Sequence, residues 1–177
     1  MKKGFTLIEL IIVIGILAIL ATVVVLVLNP AQLLAQARDS QRMSDLASVK
    51  SAIALYLVTA TSTSVSATSY GTVATTCWFG AACDTACSAV NASTAVTGTG
   101  WVPINLAGTS GGSPLSALPL DPSQTAAYQY TYIGDATNLT FELNANLEST
   151  KYSGLEATDG GNCPSVYEIG TAPGLAL

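Results

Sequence analysis

No histidine occurs among the 177 residues. Imidazole zinc sites, Ser-His-Asp triads and Cys-His pairs are therefore excluded in their usual forms. Charge is also scarce: 10% of residues are Asp, Glu, Lys or Arg, against roughly 25% in an average soluble protein. That deficit excludes charge-driven disorder and argues against an ordinary cytosolic enzyme. Basic residues are scarcer than acidic ones, six against eleven for a net charge of −5, so the bulk charge argues against nucleic acid as a partner. Beyond residue 60, Lys151 stands alone against eight acids, whereas residues 5–60 hold three of each sign. The chain thus has a neutral, apolar front and an acidic back.

What the front does have is an apolar run of 24 residues, FTLIELIIVIGILAILATVVVLVL, from Phe5 to Leu28. As a helix rising about 1.5 Å per residue it is long enough to cross about 30 Å of hydrocarbon. Lys2 and Lys3 precede it, which keeps the N-terminus cytoplasmic and sends the remainder across the membrane. A secretory signal peptide would have a shorter apolar core and a small-residue cleavage site behind it. A plain signal-anchor helix explains every residue of the run except Glu9.

A carboxylate inside a spanning helix costs about 2.5–3.5 kcal/mol on insertion scales. The neighbours of Glu9 one turn away are Phe5, Thr6, Ile12 and Val13; nothing inside the helix is expected to pair with it, so its partner is expected from another molecule. Cleavage after Gly4 would give Phe5 a free α-ammonium four residues from Glu9. Two offset helices would then set the ammonium of one against the carboxylate of the other, and such a buried pair pins register.

The stretch Lys2-Lys3-Gly4-Phe5-Thr6-Leu7-Ile8-Glu9-Leu10 resembles the leader and N-terminus of type IV pilins and of the related pseudopilins of type II secretion. The resemblance implies a prepilin peptidase cutting between Gly4 and Phe5, N-methylation of Phe5, and Glu9 guiding subunit docking. It also implies copies of the chain packed in a helical filament by a pilus assembly machinery, after a stay in the inner membrane. The expected fold class is α+β: a long N-terminal helix, membrane-spanning in its first half, packed on a small antiparallel sheet. The domains are then a leader at 1–4, a helix at 5–60 with its membrane part at 5–28, and a globular disulfide-containing region at 61–177.

Asn29-Pro30 follows the apolar run, and the proline predicts a kink or break near residues 26–30. Helical periodicity resumes at Ala31. Leu46, Val49, Ile53 and Leu57 share one face, which is expected to pack on the sheet. Arg38, Arg42 and Asp45 lie on another, with Asp39 three residues before Arg42, and read as a solvated charged side whose turns would meet neighbouring subunits.

Residues 59–76 contain 11 Ser or Thr in 18 positions and read as a polar connector. Asn91-Ala92-Ser93 and Asn138-Leu139-Thr140 match the N-glycan sequon, a pattern common by chance. Cys77, Cys83, Cys87 and Cys163 form an even set on the far side of the membrane segment, where two disulfides are the default. Three pairings are possible, and Cys163 is expected to be tied to the 77–87 cluster. Zinc is the competing reading, but this spacing lacks paired C-x2-C knuckles. Tyr128, Tyr130 and Tyr132, then Leu139, Phe141, Leu143, Ala145 and Leu147, alternate around Gly134–Asn138 and predict an antiparallel hairpin. Val166–Ile169 is a further strand. The Asp-Pro turn ahead of the hairpin also resembles the sheet region of pilins and pseudopilins.

Three functions compete. A structural pilus subunit accounts for the leader, Glu9 and the helix-then-sheet order. A type II secretion pseudopilin would share the first sixty residues, and the resemblance associates its major form with a calcium loop near the C-terminus. Here Glu156, Asp159 and Asn162 are too few to assign such a site, so neither metal nor cofactor is expected. A membrane-anchored enzyme would need a carboxylate pair or a Ser-Lys dyad, and no recognisable elbow surrounds Lys151. The acids read as a solvated surface. The function expected is a non-enzymatic pilus subunit, held in the cell membrane before assembly and extracellular after it.

Overall fold

The computed structural model describes residues 4–78 and 85–172. Helix α1 runs Leu7–Leu28 and α2 runs Pro30–Thr59. The break between them falls on Asn29, whose φ of 40° is left-handed. Pro30 has no N–H to continue the helix and fits the first turn of a new one. Asn29 caps that turn, its side chain accepting from the Gln32 N–H at 3.4 Å. The kink expected near residues 26–30 is present, as a full break.

One side of α2 is buried: Ala35, Asp39, Arg42, Leu46, Val49, Ala52, Ile53 and Tyr56. These spacings of three and four trace a single stripe. It lies on a five-stranded sheet made of β1 (Tyr70–Gly71), β4 (Ala89–Val90), β5 (Tyr130–Asp135), β6 (Thr140–Ala145) and β7 (Tyr167–Gly170), in the order β4-β1-β5-β6-β7. A separate pair, β2 (Thr76–Cys77) with β3 (Thr85–Ala86), is antiparallel. The fold is α+β and pilin-like, as expected. The main sheet is mixed, however, because β1 and β4 run parallel. Both are two-residue strands within the Ser/Thr-rich stretch and its continuation, where alternation is too short to read.

The predicted hairpin forms with Tyr132 opposite Leu143 and Gly134 opposite Phe141. Because strand side chains alternate faces, Tyr130, Tyr132, Phe141, Leu143 and Ala145 all point toward α2 and are fully buried. Trp101, Val102, Ile104, Leu106 and Leu118 close the same core. The Trp101 indole N–H donates to the Pro119 carbonyl at 2.9 Å, which satisfies its one polar atom. The polar connector is pinned to this core by two tyrosines. The Tyr56 hydroxyl donates to the Ser62 carbonyl and accepts from the Ser64 N–H, each at 3.1 Å. The Tyr132 hydroxyl donates to the Ser66 carbonyl at 3.1 Å.

Gly134 allows that connector to approach. A Cβ there would stand 2.4 Å from Val65 Cγ1 and 2.7 Å from the Ser66 carbonyl oxygen. Gly134→Ala is therefore expected to lower stability by about 1–3 kcal/mol through overpacking, read as a lower denaturation midpoint of the detergent-solubilised chain at unchanged m.

Candidate assembly site and the clamp behind it

Gly4 and Phe5 are exposed at the N-terminal end of α1. A Cβ on Gly4 would meet nothing within 4 Å, so no packing among the described residues requires glycine there. Thr6 is the N-cap, and Glu9 closes a capping box with it. The Glu9 carboxylate accepts from the Thr6 N–H at 2.9 Å and its hydroxyl at 2.8 Å, while the Glu9 N–H donates to Thr6 Oγ1 at 3.2 Å. Glu9 thus has a partner inside its own helix. This corrects the expectation that nothing inside the helix pairs with Glu9; the S/T-x-x-E spacing of Thr6 and Glu9 is the local signal for that bond.

Behind Glu9 the helix has no tertiary packing among the described residues. Its apolar side chains from Leu7 to Val25, with Val27 and Leu28, are all exposed, and Leu7 is 76% so. An apolar surface of this size needs lipid or other helices to cover it.

The charged side of α2 is the main correction. Asp39 and Arg42 are completely buried within the chain rather than solvated or turned toward neighbours. Arg42 Nε and Nη2 donate to the two Asp121 oxygens at 2.6 and 3.1 Å, and Nη1 donates to Asp39 at 2.8 Å. Nη2 also reaches Ser123 Oγ at 3.0 Å and pairs with Glu148. Glu148 in turn pairs with Arg38. Asp39 accepts the Glu148 and Ser149 N–H groups at 2.9 and 2.7 Å. The Arg42 guanidinium lies 4.8 Å from the Tyr128 ring centre. The Tyr130 hydroxyl donates to Asp45 at 2.8 Å. The spacing Asp39-x-x-Arg42 was visible as an i, i+3 pair, but its burial depends on Asp121 and Glu148, which lie 79 and 106 residues further along.

Electrostatics follow from this crowding. Burial by itself would lower the Arg42 pKa, but bonds to Asp121, Glu148 and Asp39 hold it above the ordinary value. The Arg38 hydrogen bond, joined by Arg42 and Ser123, brings Glu148 down to about 2. Burial pushes Glu156 and Glu168 the other way.

Among the cysteines, Cys77 and Cys87 are bonded to each other, with Cα atoms 5.4 Å apart. Cys163 is buried and also disulfide-bonded. Cys83 lies outside the described residues. Glu156 and Asp159, weighed above as calcium ligands, bind backbone instead. Glu156 accepts the Leu147 N–H at 2.9 Å, and Asp159 accepts those of Gly161 and Glu168 at 2.9 and 2.7 Å. Among the described residues no group of three Asp, Glu or Cys side chains is placed to hold a metal ion.

Residues 1–25 match the prokaryotic N-terminal methylation motif. The chain therefore carries a class III leader of the kind found in type IV pilins and pseudopilins, which implies processing by a prepilin peptidase. Comparison with curated proteins and with solved structures gave no match.

Two outcomes test the clamp. Arg42→Leu leaves Asp39 and Asp121 buried without their cation and is expected to cost about 3–5 kcal/mol, measured by chemical denaturation. Lowering the pH is expected to act in two stages. Glu156 and Glu168 take up protons in the folded chain before an unfolded glutamate would, so stability rises as pH falls toward about 4.5. Glu148 has the opposite sign: its contribution is complete above about 4.5 and is lost as pH falls toward about 2, where the folded carboxylate must protonate. A melting temperature profiled against pH should show a mildly acidic maximum, with Glu148→Gln flattening the acid side.

Proposed function

We propose that the chain is a structural subunit of a type IV pilus. It is made as a prepilin, cut between Gly4 and Phe5, methylated on the Phe5 amine and assembled through packing of α1. The single observation that carries this reading is the uncovered apolar helix α1 with Glu9 in its first turn, directly behind the leader. The open space around Gly4 supports it too: a glycine that its own chain does not need suits recognition by a peptidase.

In this reading residues 1–4 are the leader, residues 5–60 the anchoring helix and residues 61–177 the head. The subunit waits in the inner membrane with its N-terminus cytoplasmic. When the assembly machinery draws it out, the Phe5 ammonium of one copy meets Glu9 of another, and Glu9 exchanges its bonds to Thr6 for that partner. The α1 helices form the filament core and the disulfide-braced heads its shell. The role is structural, not enzymatic, and the acidic head does not bind nucleic acid by bulk charge.

Glu9→Ala is expected to leave processing and membrane insertion intact while filament yield falls severely; normal filament yield from this variant would defeat the docking role. Gly4→Glu is expected to block cleavage. The intact mass of the protein in filaments sheared from the cell surface should correspond to a chain starting at Phe5, plus one methyl and less four hydrogens for two disulfides. The processed species found only in membranes would instead assign the chain to a secretion pseudopilus.

A further inference from the structure

The face of the sheet turned away from α2 holds a carboxyl that no part of the assembly reading uses. Glu168 of β7 is directly opposite Asn144 of β6, and the two are 2% and 0% exposed. The Glu168 N–H is directed away from β6, to Asp159 Oδ2 at 2.7 Å. The pair is therefore of the kind that exchanges no backbone bonds, in which Cα atoms lie about 4.5 Å apart and side chains stand closest.

Each side chain of this pair has one end bonded and one oxygen unsatisfied. The Asn144 amide nitrogen donates to Glu142 at 2.7 Å and to the Trp78 carbonyl. Those bonds use both of its hydrogens and fix which end of the amide is oxygen. Asn144 Oδ1 is left buried with no donor. Glu168 Oε2 accepts the Cys163 N–H at 2.7 Å, while Oε1 is buried with no donor. Thr131, opposite Asn144 on β5, does not supply one, since its hydroxyl is itself without a partner. Two orphan acceptors thus belong to directly opposed residues, and one hydrogen between them satisfies both.

The surroundings of Glu168 favour a proton there. Gly161 lies over the carboxyl so closely that a Cβ would fall 1.9 Å from Oε2 and 2.3 Å from Cδ. The closed turn keeps water from the carboxyl, which disfavours its charged form. Three acids surround it on this side. Asp159 holds the Glu168 N–H, Glu156 holds the Leu147 N–H, and Glu142 accepts the Asn144 amide. Lys50 of α2 and Tyr167 of β7 lie toward the other face of the sheet, where both line the cavity at its edge. Burial first, and then the Asp159 charge, raise the Glu168 pKa against the bonds from Cys163 and Glu142 that lower it.

We propose that Glu168 is held in the folded chain as a neutral carboxylic acid, its Oε1 hydrogen donated to Asn144 Oδ1 while Oε2 accepts the Cys163 N–H, and that this one proton latches the Asp159–Cys163 turn onto the sheet. Loss of the proton leaves a buried anion opposite an amide oxygen, and opening of the turn is what brings water to it. Closure of the turn already carries a cost, because Asn162 Oδ1 is buried there without a partner. The head thus has a pH-sensitive cover beside the disulfide of Cys163, closed in acid and loosened in alkali. The latch stands whether the chain builds a pilus or a pseudopilus.

The test uses the full chain in detergent, carbon-13 labelled at the glutamate side-chain carboxyls. At about pH 6 an exposed glutamate is more than about nine-tenths ionised. The Glu168 resonance, assigned by its loss in Glu168→Gln, should still sit at the neutral-acid position. The glutamine amide copies the acid, donating to Asn144 and accepting from Cys163, so this variant should melt within about 2 °C of the parent at about pH 4. A raised folded pKa gives stability that is complete below the unfolded value and lost as pH rises through the folded one. The parent should show that loss and Glu168→Gln should not, with Glu156 present in both and cancelling. Hydrogen exchange across residues 159–166, taken relative to β5, should accelerate in the parent by up to about tenfold per pH unit above that pKa. In Glu168→Gln the ratio should stay constant. An ionised Glu168 resonance at about pH 6 would overturn the proposal. So would a neutral-acid resonance that survives Glu168→Gln and vanishes in Glu142→Gln, or exchange ratios that respond equally to pH in both chains.

Discussion

The guanidinium of Arg42 is the point at which a helix, a turn and a strand exit are joined. It projects from α2 and holds Asp121 of the Asp-Pro turn and Glu148 just beyond β6, while Asp39 of the same helix accepts the backbone at Glu148 and Ser149. Hydrophobic burial is non-directional, so Leu46, Val49 and Ile53 alone would tolerate small slides of α2 along the sheet. A buried arginine with charged partners on two other segments does not. A displacement of one helical position would leave Asp39, Asp121 or Glu148 buried without its cation, at a cost of several kcal/mol. The clamp thus fixes the register of α2 on the head and, through it, the direction in which the chain leaves toward α1.

What was legible in the sequence follows from range. The Asn29-Pro30 break, the stripe Leu46-Val49-Ile53 and the hairpin of Tyr130-Tyr132 with Phe141-Leu143 are set by residues within a few positions of one another. Local period and a proline's missing donor were enough to find them. Arg42 was misread because an amphipathic charged face looks the same whether water or a distant carboxylate receives it. Glu142, counted among the solvated acids, is buried for a related reason. Glu142 and Asn144 alternate with Phe141 and Leu143 as solvent-facing residues would, but segments distant in sequence lie over that face, Trp78 and Cys163 bonding to Asn144 and Glu168. At the N-terminus the Thr6-Glu9 capping box is local and legible in the S/T-x-x-E spacing.

The head is therefore a sheet with two unlike interiors. Toward α2 it is apolar and aromatic; on the other side it is polar around Glu142, Asn144 and Glu168, with Ile133 packed against the Cys77–Cys87 disulfide. An apolar core stabilises by area and needs no further support. A polar interior stabilises only if its groups are satisfied, and its cover has little hydrophobic attraction to the sheet. Short covalent ties suit such a cover, since they hold loops that packing would not. The disulfides accordingly fall on the polar side: Cys77 and Cys87 beside Ile133, and Cys163 bonding its N–H to Glu168.

The same distinction bears on how α1 would assemble. A helix leaving lipid for a bundle of like helices exchanges one apolar environment for another, so hydrophobic burial supplies little net drive or direction. The side chains from Leu7 to Leu28 are nearly uniform around the helix and define no preferred face. Glu9 is the one residue of α1 for which the two states differ sharply. Among the described residues its carboxylate is bonded to Thr6; removal of the leader would make a cationic amine available one turn away on every copy. A charge pair gains strength as the surroundings lose water, so the pairing would favour the one axial offset that brings ammonium and carboxylate together. In the proposed assembly the apolar surface would make a filament core permissible, and a single buried ion pair would make its register specific.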